Sequence, residues 1–358
     1  MNKDGTIDVM VVEDSLVARE LLVHILSSDP AIRVIACASS GEEAISVLAE
    51  KNPHVVTMDI VMPKMDGFET TRRLMETNPL PIVIVSSAYN PSDVAQSLRA
   101  MEAGAVAAVE KPPGIYHPTF AVRAKKLIET VKAMAEVRVI RRWPKTRSAP
   151  QPVDFAVVKP TAEIKLIAIG ASTGGPVVLQ TILSRLPKPP PVPVVIVQHI
   201  TAGFVQGLAD WLGVATGIPV KVAAHGDLLH PGRVYIAPDE CQMKVEKSGR
   251  LACVSDEPEN NLKPSVSYFF RSVAATYGAS AIGVLLTGMG KDGAHELKAI
   301  RDAGGITFAQ DKESSVVFGM PGEAVKCGAA MHVMPPEAIG EALCTLFGKS
   351  ANLKFAPA

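Results

Sequence analysis

Short apolar runs recur along this chain, and most of them stop at a polar residue with chemistry to offer. In the first third, Ile7 to Val12 ends at Glu13-Asp14, and Ile32 to Ala38 follows. His54 to Met58 ends at Asp59, Pro81 to Val85 at Ser86-Ser87, and Ala105 to Val109 at Glu110-Lys111-Pro112. Unbroken aliphatic and β-branched runs of this kind predict strands buried on both faces, as a parallel sheet requires. Between them the period lengthens. Ser15 to Ser27 carries Val17, Leu21 and Ile25 at helical spacing, which predicts a helix buried along that stripe. Leu127, Val131 and Met134 predict the same for a last helix. Strand and helix alternate from residue 6 to 136, so this part is expected to be α/β, a doubly wound (βα)5 unit.

The second half repeats the design with different endings. Lys165 to Ile169 leads into Gly170-Ala171-Ser172-Thr173-Gly174-Gly175, and Pro176 suits the first turn of a helix. Pro193 to Gln198 ends at His199. Ala281 to Leu286 runs into a glycine-rich loop, Thr287 to Gly293, that holds Met289 and Asp292. A second doubly wound, Rossmann-like parallel sheet is expected. Parallel strands would bring Ser172, His199 and Asp292 to one sheet edge, where open α/β folds bind ligands. A serine on a tight strand-to-helix turn, an imidazole and a carboxylate supply a nucleophile, a base and an orienting acid. Each part alone has a plainer reading: a phosphate-cradling glycine turn, a surface histidine, a helix-capping aspartate. Their coincidence at one edge favours hydrolysis. The order serine, histidine, aspartate is no obstacle, because such triads are defined by geometry.

The polar endings of the first unit suggest other chemistry. Glu13, Asp14 and Asp59 would gather into an acidic cluster, with Lys111 and Ser86 nearby. Clustered carboxylates repel unless a cation joins them, and hard oxygen ligands suit Mg²⁺. A carboxylate beside Mg²⁺ can attack a phosphoryl group; Lys111 can then pair with the product and the Ser86 hydroxyl can donate to it.

Composition narrows the classes. A chain of 358 residues is long enough for two cores. Its 36 basic and 36 acidic residues cancel, which leaves no electrostatic footprint for nucleic acid or an anionic membrane. No apolar run is long enough to span a bilayer, and the start, Met-Asn-Lys-Asp-Gly-Thr, has no secretory core. Five scattered cysteines suit reduced thiols, so a cytoplasmic protein is expected. Val137 to Lys159 carries Pro144, Pro150 and Pro152 among Arg138, Arg141, Arg142, Lys145 and Arg147. It reads as a solvated, semi-rigid linker more than as a phosphate-binding patch.

Two sets of motifs carry family resemblances. VVEDS from Val11, MDIVMPKMDGFE from Met58, VSSA from Val85 and EKP from Glu110 resemble a response-regulator receiver domain over residues 5–125. That resemblance implies phosphorylation of Asp59 by a chemotaxis histidine kinase. It implies Mg²⁺ on Glu13, Asp14 and Asp59, with Ser86 and Lys111 as the switch residues. GASTGGP, VQHI, PGRVYIAP, LLTGMGKDGA and AQDKESSVVFGMP stand in order from Gly170 to Pro321. They resemble the catalytic domain of the chemotaxis protein-glutamate methylesterase (CheB) family over residues 162–348, which leaves 126–161 as a helix end and linker. This resemblance implies Ser172 as nucleophile, His199 as base, Asp292 as orienting acid and the Met289 amide as oxyanion donor, with Thr173 as its neighbour. It implies methyl esters on chemoreceptor cytoplasmic helices as substrate, glutamine deamidation by the same acyl chemistry, control by the receiver, and no cofactor for the esterase.

Three segments depart from the family pattern. A proline-rich turn is Ile200-Thr201-Ala202-Gly203-Phe204, an Ala-Pro-Gly-Asp is Ala237-Pro238-Asp239-Glu240, and the aspartate of a Pro-Ser-Val-Asp motif is Ser267. They are expected to bear on substrate preference and to leave the triad untouched. The residues alone also admit a small-molecule esterase under receiver control, or a phosphate- or nucleotide-binding output module.

Overall fold

The structure, a computed structural model, describes residues 5–86, 91–137, 139 and 160–348. The basic cluster of the linker and Ser87 lie outside the described residues. The chain divides into two compact units, Met1–Ser148 and Ala149–Ala358.

In the first unit, strands β1 (Ile7–Val12), β2 (Ile32–Ala38), β3 (Val55–Met58), β4 (Ile82–Ser86) and β5 (Ala107–Glu110) form one parallel sheet in the order β2-β1-β3-β4-β5. Helices α1 (Leu16–Ser27), α2 (Gly41–Glu50), α3 (Gly67–Thr77), α4 (Pro91–Ala103) and α5 (Phe120–Met134) alternate with the strands. Every residue of β1 is buried, as its unbroken apolar run requires. Leu127, Val131 and Met134 form the buried face of α5. In α1 the buried residues are Leu22, Ile25 and Leu26, while Val17 is 77% exposed. The expected stripe fails at its first position. Ser15 caps this helix, so Val17 lies in the first turn, beyond the end of the face that packs. β5 starts two residues later than its apolar run. The Ala105 amide is taken by the Ala100 carbonyl in the turn out of α4, and the Val106 amide reaches the Ile82 carbonyl at the start of β4.

The second unit holds β6 (Leu166–Ala171), β7 (Val194–Gln198), β8 (Val220–Val222), β9 (Val234–Ile236), β10 (Gln242–Val245), β11 (Leu251–Val254), β12 (Ala281–Leu285), β13 (Ile306–Gln310) and β14 (His332–Met334). Its helices are α6 (Gly175–Leu183), α7 (Val205–Thr216), α8 (Val266–Tyr277), α9 (Ala294–Asp302), α10 (Met320–Lys326) and α11 (Pro336–Gly348). Seven strands make a parallel sheet in the order β14-β13-β12-β6-β7-β9-β8. The chain leaves β6 toward β7 on one side and returns to β12 on the other, so the crevice of this sheet opens beside β6. An antiparallel ribbon of β10 and β11, not foreseen in the sequence, packs with α8 onto the core through Met243, Val245, Leu251, Phe269 and Phe270. Among the described residues no helix is long and apolar enough to cross a membrane. All five cysteines are free.

Candidate active site

The sheet register sets Ser172 beside His199. Ala171 at the end of β6 pairs with Gln198 at the end of β7, so Ser172 and His199 leave neighbouring strands side by side. The His199 amide donates to the Ala171 carbonyl at 2.9 Å. The buried Gln198 side chain ties the two backbones: its Nε2 donates to the carbonyls of Ser172 and His199, each at 2.8 Å. The Ser172 amide donates to Thr287, in the loop after β12. Its hydroxyl has no hydrogen-bond partner among the described residues.

The loop after β12 brings Asp292 to His199 from the other side of β6. His199 Nε2 lies 2.9 Å from Asp292 Oδ2. Asp292 is 3% exposed, and such burial demands a full set of donors. Oδ1 accepts from the Ser265 hydroxyl at 2.8 Å and the Ser267 amide at 3.0 Å. Oδ2 accepts from the Val266 amide at 2.6 Å in addition to the imidazole. Val266 and Ser267 open α8, so the carboxylate satisfies amides that a helix start leaves free and faces its positive dipole end. Burial alone would raise the Asp292 pKa. The bonds and charge from His199, with those from Ser267 and Ser265, outweigh it and hold the group at about 2. The carboxylate is ionised and takes the Nε2 side of the ring, which leaves Nδ1 as the nitrogen not bonded to it.

Ser267 therefore touches the acid, which corrects the expectation that the departing segments leave the triad alone. The other two departures meet each other: the Gly203 amide donates to Asp239 Oδ2 at 2.8 Å, close in sequence to His199. Met289 stands 48% exposed at the rim. Its amide and that of Thr173 donate to no group among the described residues. The preceding Gly288 is pressed onto the nucleophile, since a Cβ built there would fall 2.6 Å from the Ser172 Cβ.

In the first unit, Glu13, Asp14 and Asp59 bring one carboxylate oxygen each to within 4.8 Å of one another at the ends of β1 and β3. Lys111 Nζ reaches Glu13 at 2.7 Å and Asp59 at 2.9 Å. Burial and the neighbouring Asp59 charge push the Glu13 pKa up to about 7, against the pull of Lys111. Ser86, 1% exposed at the end of β4, has no partner for its hydroxyl among the described residues.

Comparison with known proteins follows the same division. The description of the CheB methylesterase family matches residues 167–343, and that of the response regulator receiver domain matches residues 9–116. A protein-glutamate methylesterase/protein-glutamine glutaminase of Nitrosospira multiformis is 51% identical over 352 residues, 97% of this chain and 99% of the relative. The chain belongs to the CheB methylesterase family. A Syntrophus aciditrophicus member of the same name is 53% identical over 96% of this chain and 99% of its own length. The crystal structure of the Thermotoga maritima CheB methylesterase catalytic domain matches with a TM-score of 0.50 at 38% identity, covering 52% of this chain and all of that domain. Sequence reasoning placed the serine, histidine and aspartate of this CheB chain but missed Gln198, Ser265, Val266 and Thr287. Val266 and Thr287 act through backbone groups, Gln198 and Ser265 through side chains, and only Gln198 had a sequence signal, its place beside His199.

Proposed function

We propose that this chain hydrolyses glutamyl methyl esters on chemoreceptor helices under the control of its receiver. The His199–Asp292 hydrogen bond at the strand end next to Ser172 carries the reading. Ser172 Oγ attacks the ester carbonyl while His199 Nδ1 takes its proton, and Asp292 steadies the imidazolium that results. The Met289 and Thr173 amides receive the oxyanion. His199 then protonates the departing methoxide, which leaves as methanol. A water deprotonated by His199 hydrolyses the acyl-enzyme, restoring Ser172 and releasing the glutamate. The same steps on a glutamine side chain expel ammonia, in keeping with the name its relatives carry.

Asp59 is the phosphoacceptor in this reading. The donor set fits Mg²⁺, because three carboxylates crowd one spot, and burial together with the Asp59 charge keeps the Glu13 pKa raised despite Lys111. Bound there by Glu13, Asp14 and Asp59, the cation would neutralise the carboxylates and the incoming phosphoryl oxygens. Lys111 holds Asp59 in line, and the Ser86 hydroxyl supplies a donor for the phosphoryl group. The phosphodonor is a chemotaxis histidine kinase.

Methanol release from receptor membranes carrying labelled methyl esters tests the esterase. Ser172→Ala should fall by several orders of magnitude, as triad deletions do; retention of about a tenth of wild-type turnover would overturn the assignment. A small phosphodonor should label the full chain only with Mg²⁺, and Asp59→Asn should carry no label.

A further inference from the structure

Ser267 grips the catalytic acid and the peptide behind it at once. It is 4% exposed at the start of α8. Its amide donates to Asp292 Oδ1 at 3.0 Å. Its hydroxyl oxygen accepts the Gly293 amide at 2.8 Å. Gly293 stands at φ +80°, a conformation that side-chain-bearing residues avoid, and it opens α9. The peptide joining Asp292 to Gly293 is thus fixed by one hydroxyl. Turning that peptide would swing the Asp292 carboxylate away from the His199 imidazole.

We propose that Ser267 is a positioning residue for ester hydrolysis, acting through Asp292 to aim His199, and that its neutrality spares the buried Asp292 a second negative charge beside it. The inference rests on the Ser172–His199–Asp292 reading given above. An aspartate at 267, the residue of the family motif, would also accept the Gly293 amide. It would set a second negative charge against a buried carboxylate, and the pair would favour the protonated imidazole. Position 267 therefore sets both the orientation of Asp292 and the charge beside it.

No other charged group takes over this task. Lys291 and His295 flank the acid in sequence and are exposed. Arg271, further along α8, pairs with Glu259 and Glu296. Asp239 holds the Gly203 amide in the loop after His199. None is hydrogen-bonded to His199 or Asp292 among the described residues.

The test uses the full chain and methanol release from methylated receptor membranes, with Ser267→Ala, Ser267→Thr and Ser267→Asp. Ser267→Ala should lower kcat about tenfold with KM within about twofold, the pattern of lost aim without lost binding. Ser267→Thr keeps the hydroxyl and should recover most of the rate. Ser267→Asp should move the acid limb of the kcat/KM profile up by about one pH unit. Wild-type kcat in Ser267→Ala, no rescue by threonine, or an unmoved acid limb in Ser267→Asp would each overturn the proposal. If the alanine variant fails to fold, the aspartate variant's pH profile decides. Ser172→Ala runs beside them: if it keeps turning over, the triad reading has failed, whereas an inert Ser172→Ala beside a normal Ser267→Ala sinks the positioning role alone.

Discussion

Gly288 leaves no slack between Ser172 and the loop after β12. A Cβ on it would meet the Ser172 Cβ at 2.6 Å and press on the Met320 sulfur. Its carbonyl already accepts from the Gly319 and Met320 amides, so the loop cannot retreat without losing both bonds. Gly288→Ala should cost about 1–3 kcal/mol in unfolding, as overpacking does, and the protein that remains folded should lose at least about tenfold in kcat, because small misplacements of reacting groups are costly. Wild-type turnover in this variant would mean that the chemistry lies elsewhere. Asp292 makes a second prediction. Its pKa of about 2 lies below the ordinary value of 3.8, so it stays ionised throughout the working range and protonates only as the pH falls toward 2. Loss of activity on acidification should therefore show no step from this carboxylate above about pH 3. A second, carboxylate step in kcat/KM between pH 4 and 5 would contradict the donor set found around Asp292.

The helix α8 and Asp292 cap each other. Val266 and Ser267 amides go to Asp292, while the Tyr268 amide goes to the Ser265 hydroxyl at 3.3 Å. Ser265→Ala removes a helix cap and an Asp292 donor together. It should cost about 1 kcal/mol in urea unfolding and lower kcat in the same variant. Unchanged kcat at reduced stability would limit Ser265 to the helix. This partnership was hidden in the sequence. Strand ends were legible because apolar runs stop abruptly at Glu13, Asp59, Ser172 and His199, and burial on both faces demands such runs. The α1 stripe misled at Val17, where spacing matched but the packing face had already ended. The Asp292 cradle comes from residues 25 to 27 positions earlier through tertiary folding, and no local period announces it. The ribbon of β10 and β11 has four residues per strand, too few for alternation to stand out.

At the scale of the whole chain, two units with separate chemistry are linked in one polypeptide. If the receiver restrains the esterase, a fragment starting near Ala162 should release methanol faster than the unphosphorylated full chain. Phosphodonor should then speed the full chain, spare the fragment, and leave Asp59→Asn at its basal rate. A differential of a few kcal/mol between resting and active arrangements is sufficient. Equal basal rates for fragment and full chain would assign the receiver to another task, such as locating the enzyme on its receptor. The sheet order has one more consequence. β6 comes first in the second unit yet lies between β7 and β12, and Asp292 follows His199 by 93 residues. A copy cut short during translation before Asp292 owns the serine and the imidazole, has a bare edge where β12 belongs, and lacks the acid. If the Ser172–His199–Asp292 reading holds, an unfinished copy should be inert, because synthesis delivers the third part of the site last.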